Sequence, residues 1–291
     1  MNTNNNIPAV NYHLWEPCNF RCKYCFATFK DVRKSILPKG HLPKEDALKI
    51  VDKLALAGFT KITFAGGEPT LCNWLIDLIT RAKQHGMTTT IVTNGSGVTA
   101  DFLKTVHSYL DWIAISIDSV TPETNKVIGR SMGNAITPDF NWYYTKAELI
   151  KQYGIKLKIN TVVNHYNFNE RGLSDLVNKL EPKRWKIFQA LPVKGQNDQY
   201  FDELAITNIE LDVFVKQNKI DNPRTHIVVE NNESMRGSYV MIDPAGRFYD
   251  NTNGGHTYSN PILTVGVENA LGQINKDYQK FILRGGLYDW K

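Results

Sequence analysis

The chain has 291 residues, with 34 basic against 29 acidic side chains for a net charge of +5, and is 42% hydrophobic and 22% charged. That is length enough for one large α/β domain with a substantial core, and the average balance excludes wholesale disorder. No window holds the ~18 apolar residues of a membrane helix, the first residues are polar with no apolar signal core, and the four cysteines, three of them between positions 18 and 25, are no disulfide framework for a secreted domain. A cytoplasmic location with no membrane attachment follows as the expectation. The mild basic excess, without a long run of one sign, suits a small anionic ligand better than a nucleic-acid track.

Short β-branched or apolar runs at 9–14, 61–64, 88–92, 112–116, 156–162 and 185–190 predict six strands. Between the first two, Ala47, Leu48, Val51, Leu54 and Ala55 recur on one face of a helix over 44–57, and Gly58 stops it. Helical patterns follow at about 73–85, 99–109, 138–153 and 170–180, each lying between two strands. Such βαβα alternation predicts an α/β fold, a parallel sheet with helices outside that is either open or curled into a partial barrel. After Pro192 the periodicity weakens: a helix near 207–218, strand-like pieces at 226–230, 238–242 and 246–249, and a helix near 274–283 read as an α+β extension. Residues 1–191 are thus expected to form the barrel, and residues 192–291 to pack on it rather than stand as an independent unit.

The strongest chemical signal is Cys18-Asn19-Phe20-Arg21-Cys22-Lys23-Tyr24-Cys25, a C-x3-C-x2-C run just after the first strand. Three thiolates can hold three irons of a [4Fe–4S] cubane. The fourth iron is then free to chelate the amino and carboxylate groups of a small molecule and pass it an electron. Two other readings stay open. A closed zinc site would need a fourth ligand, for which Cys72 or His13 is available; a dithiol pair of Cys22 and Cys25 would leave Cys18 without a role.

Gly66-Gly67-Glu68-Pro69 follows the second strand, Asn94-Gly95-Ser96 the third, and Ser116 to Ser119, with Asp118, the fourth. In parallel barrels the carboxyl ends of strands carry the site, so these polar groups are candidate ligand contacts. Each is equally an ordinary turn or helix cap when taken alone.

The cysteine run, with Tyr24 at its aromatic position, resembles the signature of the radical S-adenosylmethionine (radical SAM) superfamily, which folds as a partial (β/α)6 barrel. The resemblance narrows to the viperin family on nine segments: 10–13, 18–26, 66–69, 114–119, 128–130, 158–160, 184–189, 238–239 and 284–286. It implies a [4Fe–4S] cluster on Cys18, Cys22 and Cys25, with S-adenosyl-L-methionine held by Tyr24, Gly66, Gly67, Glu68, Asn94, Ser116 and Arg130. The implied reaction is radical conversion of CTP, with UTP and GTP as alternatives, to its 3′-deoxy-3′,4′-didehydro analogue, a chain-terminating antiviral nucleotide. Flavodoxin or ferredoxin would donate the electrons.

The resemblance places Lys61, Lys158, Arg184, Lys186 and Arg284 on the triphosphate and Asn160 in the nucleotide site, with the extension completing that site. Lys156 and Lys158 share one strand face, as do Arg184 and Lys186. A long cation in a half-buried strand is out of place unless an anion meets it; without the resemblance these would read as snorkelling edge cations. Tyr239 matches a tyrosine near the sugar and is the candidate proton donor, its bland reading being a core aromatic. Animal viperins begin with an amphipathic membrane-binding helix; only 17 residues precede Cys18 here, so that attachment is not carried over. A radical enzyme acting on a peptide or RNA, and a zinc-binding interaction module, are the rival readings.

Overall fold

The computed structural model describes residues 7–133 and 135–290. Seven strands, β1 (Ala9–His13), β2 (Lys61–Ala65), β3 (Thr88–Thr93), β4 (Trp112–Ser116), β5 (Lys156–Val163), β6 (Arg184–Gln189) and β7 (His226–Glu230), pair in parallel in sequence order. Helices Lys44–Leu56, Leu75–Gln84, Ala100–Val106, Phe140–Gln152, Leu173–Leu180 and Asn208–Gln217 come between them. The first of these buries Ala47, Leu48, Ile50, Val51 and Leu54. At its end Gly58, with φ of +89°, lets the Phe59 N–H return to the Leu54 carbonyl at 3.1 Å.

Strand β5 shows how one sequence serves two surfaces. Its burial alternates strictly along KLKINTVV, so Leu157, Ile159, Thr161 and Val163 enter the core while Lys158 and Asn160 point to the other face. Trimming a fully buried residue of this core, such as Leu54→Ala, costs roughly 2–5 kcal/mol.

Residues after β6 add strands at both edges of the same sheet. β7 lies outside β6, and β8 (Met241–Ile242) runs parallel to β1, with Asn11 opposite Met241. β9 (Arg247–Asp250) and β10 (Thr257–Pro261) continue antiparallel, giving the ten-strand order β10-β9-β8-β1-β2-β3-β4-β5-β6-β7. Strand β10 escapes the sequence patterns because it is a partly exposed edge ending in Asn260-Pro261. The last helix begins at Tyr278, four residues later than the pattern indicates, because Asp277 caps it by accepting from the Lys280 N–H at 2.9 Å.

The sheet is curled. Lys61 on β2 and Arg184 on β6 lie 4.3 and 4.2 Å from the centroid of one ring, Tyr288. Four strand spacings separate β2 from β6, about 19 Å in a flat sheet, so one tyrosine spans them only if the sheet bends round. The fold is an α/β partial barrel of β1–β6, extended at its edges by β7–β10. Among the described residues no helix is long and apolar enough to cross a membrane.

Candidate active site

The three cysteines sit on the loop that leaves the carboxyl end of β1, all partly exposed. Two glycine segments clamp this loop. On one side the Gly67 and Glu68 N–H groups donate to Trp15 and Pro17 carbonyls at 2.7 and 2.9 Å, and a Cβ on Gly67 would stand 2.1 Å from the Pro17 oxygen. On the other, Arg21 and Lys23 donate to Gly129 and Ile128 at 3.1 and 3.0 Å, and a Cβ on Gly129 would meet the Arg21 carbonyl at 2.1 Å. Here glycine is required for close approach of two backbones. The Asn197 side chain completes the clamp by donating to the Tyr24 carbonyl at 3.0 Å.

Burial pushes the Cys18 thiol up to about 12 and the Cys25 thiol up to about 11, and thiolate charge on Cys22 raises both further. A bound metal centre lets such thiols ionise. Cys72 is buried in the main core. The His13 ring is boxed by Phe26, Phe29 and Tyr249, with centroids 5.8, 5.3 and 5.8 Å away. Neither joins the trio. Among the described residues no three His, Cys, Asp or Glu side chains converge as they would on a single metal ion. Three thiols on one clamped surface loop, with the other thiol turned into the core, fit a [4Fe–4S] cluster bound by three thiolates.

Next to this loop the ends of β2, β3 and β4 present the residues assigned to the cosubstrate. Glu68 is buried, and its carboxylate accepts from the Thr70 and Asn94 N–H groups at 3.1 and 2.7 Å and from the Thr93 hydroxyl at 2.6 Å. It therefore braces β2 against β3. Asn94 donates to Asn19 inside the cysteine motif at 2.8 Å, Asn19 donates to Ser96 at 2.9 Å, and the Ser96 N–H returns to Asn94 at 2.9 Å. Tyr24 and Arg130 both bond the Asp118 carboxylate, which also accepts from the Val162 N–H at 2.6 Å. All three side chains are buried, so Tyr24 and Arg130 are fixed by a carboxylate that the sequence offered as a ligand contact or a helix cap.

The opposite end of the barrel holds cations. Lys61 and Arg184 are the first residues of β2 and β6. The register sets Ser116, Asn160 and Lys186 in one row and Ala114, Lys158 and Arg184 in the next. Lys61, Arg184 and Lys186 are buried, and the Asn160 Oδ1 is buried without a partner among the described residues. Arg284, just past the last helix, donates to the Ser238 carbonyl at 2.9 Å and stacks 3.6 Å from the Tyr239 ring centroid. Tyr239 accepts from Lys186 at 2.7 Å and donates to Glu230 at 2.5 Å. Glu230, fully buried, ion-pairs Lys186 and lies 3.6 Å from Arg284.

Burial first, then repulsion among Lys61, Lys186, Arg184 and Arg284, pushes Lys61 down to about 7 and Lys158 well below its ordinary value. Lys186 also falls to about 7, burial outweighing its pairing with Glu230. The geometry thus gathers Lys61, Lys158, Arg184, Arg284 and Tyr239 at one end, with Lys186 and Asn160 a row further along in line with Ser116. Cys18, Cys22, Cys25, Gly66, Gly67, Glu68, Asn94, Tyr24 and Arg130 gather at the other, with Ser116 at the end of β4. Sequence reasoning missed Glu230, Tyr288 and Asn19. Glu230 carried one signal, an acid closing a strand that runs beside the basic β6.

A family model described as the Radical SAM superfamily matches residues 14–180. The chain is also 54% identical over 288 residues to an S-adenosylmethionine-dependent nucleotide dehydratase of Flammeovirga pacifica, covering 99% of this chain and 98% of that protein. This chain is a radical SAM enzyme of the viperin-like family. The enzyme is 35% identical over 297 residues to the zebrafish (Danio rerio) S-adenosylmethionine-dependent nucleotide dehydratase RSAD2, covering 97% of this chain and 78% of that one. Its fold is similar to anSMEcpe solved with bound AdoMet, with a TM-score of 0.68, 16% identity, and coverage of 95% of the enzyme and 82% of that chain.

Proposed function

We propose that this enzyme dehydrates the ribose of a nucleoside triphosphate, CTP foremost, to the 3′-deoxy-3′,4′-didehydro nucleotide. The observation that carries this reading is the convergence of Lys61, Lys158, Arg184, Lys186 and Arg284 in a buried space where Glu230 is the paired carboxylate. Clustered cations removed from water are unfavourable alone, and a triphosphate supplies the missing charge in one ligand. The nucleotide dehydratase names of the relatives support the same substrate class. From the first residues of β2 and β6 to the strand ends near the cysteine loop is the length of a short strand, ~13–16 Å. An extended nucleotide can span it, with phosphates among the cations and sugar toward the cluster.

When bound, the cluster and S-adenosylmethionine supply the one-electron chemistry that opens the ribose C4′–H bond. The chain's own residues position the reactants. The cations hold the phosphates; Asn160, with its unpartnered oxygen, lines the path of the sugar. Loss of the 3′-hydroxyl as water takes one proton, for which Tyr239 is the donor, and the whole conversion takes two electrons. Burial and the adjoining Glu230 keep this hydroxyl protonated well above its ordinary range, and the stacked Arg284 opposes that rise and favours the tyrosinate left when the proton departs.

The test is to reconstitute the enzyme anaerobically with iron and sulfide and incubate it with CTP, UTP and GTP separately, following 5′-deoxyadenosine and the dehydrated nucleotide. Turnover should depend on a triphosphate, and Lys186→Ala should lose it while keeping the broad cluster absorption near ~400 nm. A colourless protein holding one tight zinc would sink the reading.

A further inference from the structure

We infer that the surface formed by the outer edge of the cysteine loop and the helix Lys30–Ser35, continuing to Lys39, docks an acidic one-electron carrier protein. This rests on the proposed function, which consumes two electrons per product and therefore needs a donor that meets the cluster twice. No atom moves between the proteins: at each docking the reduced carrier loses one electron to the cluster and leaves oxidised by one.

Three observations converge on this patch. First, the segment is basic: residues 16–40 hold six basic and two acidic side chains, a net +4, with Lys23 paired to Glu203 at 3.0 Å. Second, the basic side chains are outside. Lys30, Arg33, Lys34 and Lys39 are all exposed, and Lys30, Lys34 and Lys39 make no ion pair among the described residues. Arg33 meets Glu16 at 3.5 Å, a loose contact between an exposed and a half-buried side chain. Third, the patch adjoins the cysteine loop: its helix starts five residues past Cys25, and Cys18, Cys22 and Cys25 are partly exposed residues.

Ile36, 46% exposed, sits in this basic stretch with Leu37 half-buried beside it, so the surface is a cationic rim around a small apolar spot. Such a surface suits brief, electrostatically steered encounters, whose interfaces are small. An acidic protein carrying a one-electron cofactor complements it in charge. Nucleic acid would match the charge but brings no electrons.

The experiment uses the reconstituted enzyme with CTP and two reductants, dithionite and an acidic reduced flavodoxin. With Lys34→Glu and Lys39→Glu combined, the flavodoxin concentration for half-maximal turnover should rise roughly tenfold and its salt dependence flatten. Dithionite-driven turnover should not change. An unaltered flavodoxin response overturns the assignment, and so does an equal loss with both reductants, which would give these lysines a role in folding the loop. Stopped-flow bleaching of the cluster by flavodoxin reads docking without any nucleotide. If wild-type enzyme makes no dehydrated product with dithionite, the proposed function fails while the bleaching rates of wild type and variant still decide the surface.

Discussion

Glu230 accepts a hydrogen bond from the Tyr239 hydroxyl at 2.5 Å, joining the end of the edge strand β7 to the segment that leads into β8, on the far side of β1. The carboxylate is fully buried and also serves as counter-charge to Lys186 and Arg284. Glu230 therefore does two things at once: it aims the tyrosine and it stands where a polyanion's charge is otherwise missing.

Tyr239→Phe keeps the ring under Arg284 and removes only the hydroxyl. If that hydroxyl delivers the proton, dehydrated nucleotide should fall on the order of 100-fold while 5′-deoxyadenosine continues to form. Chromatography of both products gives the ratio; a parallel fall in the two would make Tyr239 a packing residue.

Glu230→Gln leaves Lys186 and Arg284 without their buried partner. Breaking such a pair from one side should cost about 3 kcal/mol of stability in the absence of nucleotide. With no internal anion competing, inorganic tripolyphosphate should raise the melting temperature more in the variant than in wild type. Thermal melts with and without tripolyphosphate check this, and identical melts would leave Glu230 without a charge-balancing role.

The cation cluster makes stability and binding depend on pH in opposite senses. Lys61 and Lys186 sit at about 7 when folded, well below the unfolded lysine value, through burial and their cationic neighbours. Between pH ~7 and ~10 the unfolded chain binds more protons, so the nucleotide-free enzyme gains stability as pH rises through that window. Triphosphate restores the lysine charges and so takes up protons. KM for the nucleotide should therefore climb as pH goes from 7 to 9, and titration calorimetry in buffers of different ionisation enthalpy should show proton uptake. A flat KM would mean these lysines stay charged in the empty site.

Gly67→Ala tests the clamp. The added carbon would stand 2.1 Å from the Pro17 oxygen, a backbone atom just before Cys18, so the loop must shift. Iron and acid-labile sulfide per chain after reconstitution should drop severalfold, whereas Gly58→Ala, whose Cβ meets nothing within 4 Å among the described residues, should leave them intact although a side chain at φ +89° strains the backbone and lowers stability.

Local information was enough for much of this. Strand period, helix period and glycine stops are written in neighbouring residues, and β4 and β7 appear where their patterns begin and end. The cysteine loop was legible for the same reason: its three cysteines lie within eight positions of one another. Helix Lys30–Ser35 and edge strand β10 were not, being too short or too polar to show a period. The cations could be picked out because charge on a strand face is anomalous, but their convergence could not.

By itself the sequence determined the α/β alternation, the clustered cysteines of one loop and the identity of the basic side chains, since each depends on residues a few positions apart. Only the tertiary structure decided what those side chains meet. Lys61 donates to the Tyr288 hydroxyl at 2.5 Å across 227 positions of chain, and Glu230 on the edge strand β7 meets Tyr239 ahead of β8, seven places away in the strand order. Contacts of that kind follow from strand order and from the curvature that brings distant strands round a common space, and no local propensity encodes either.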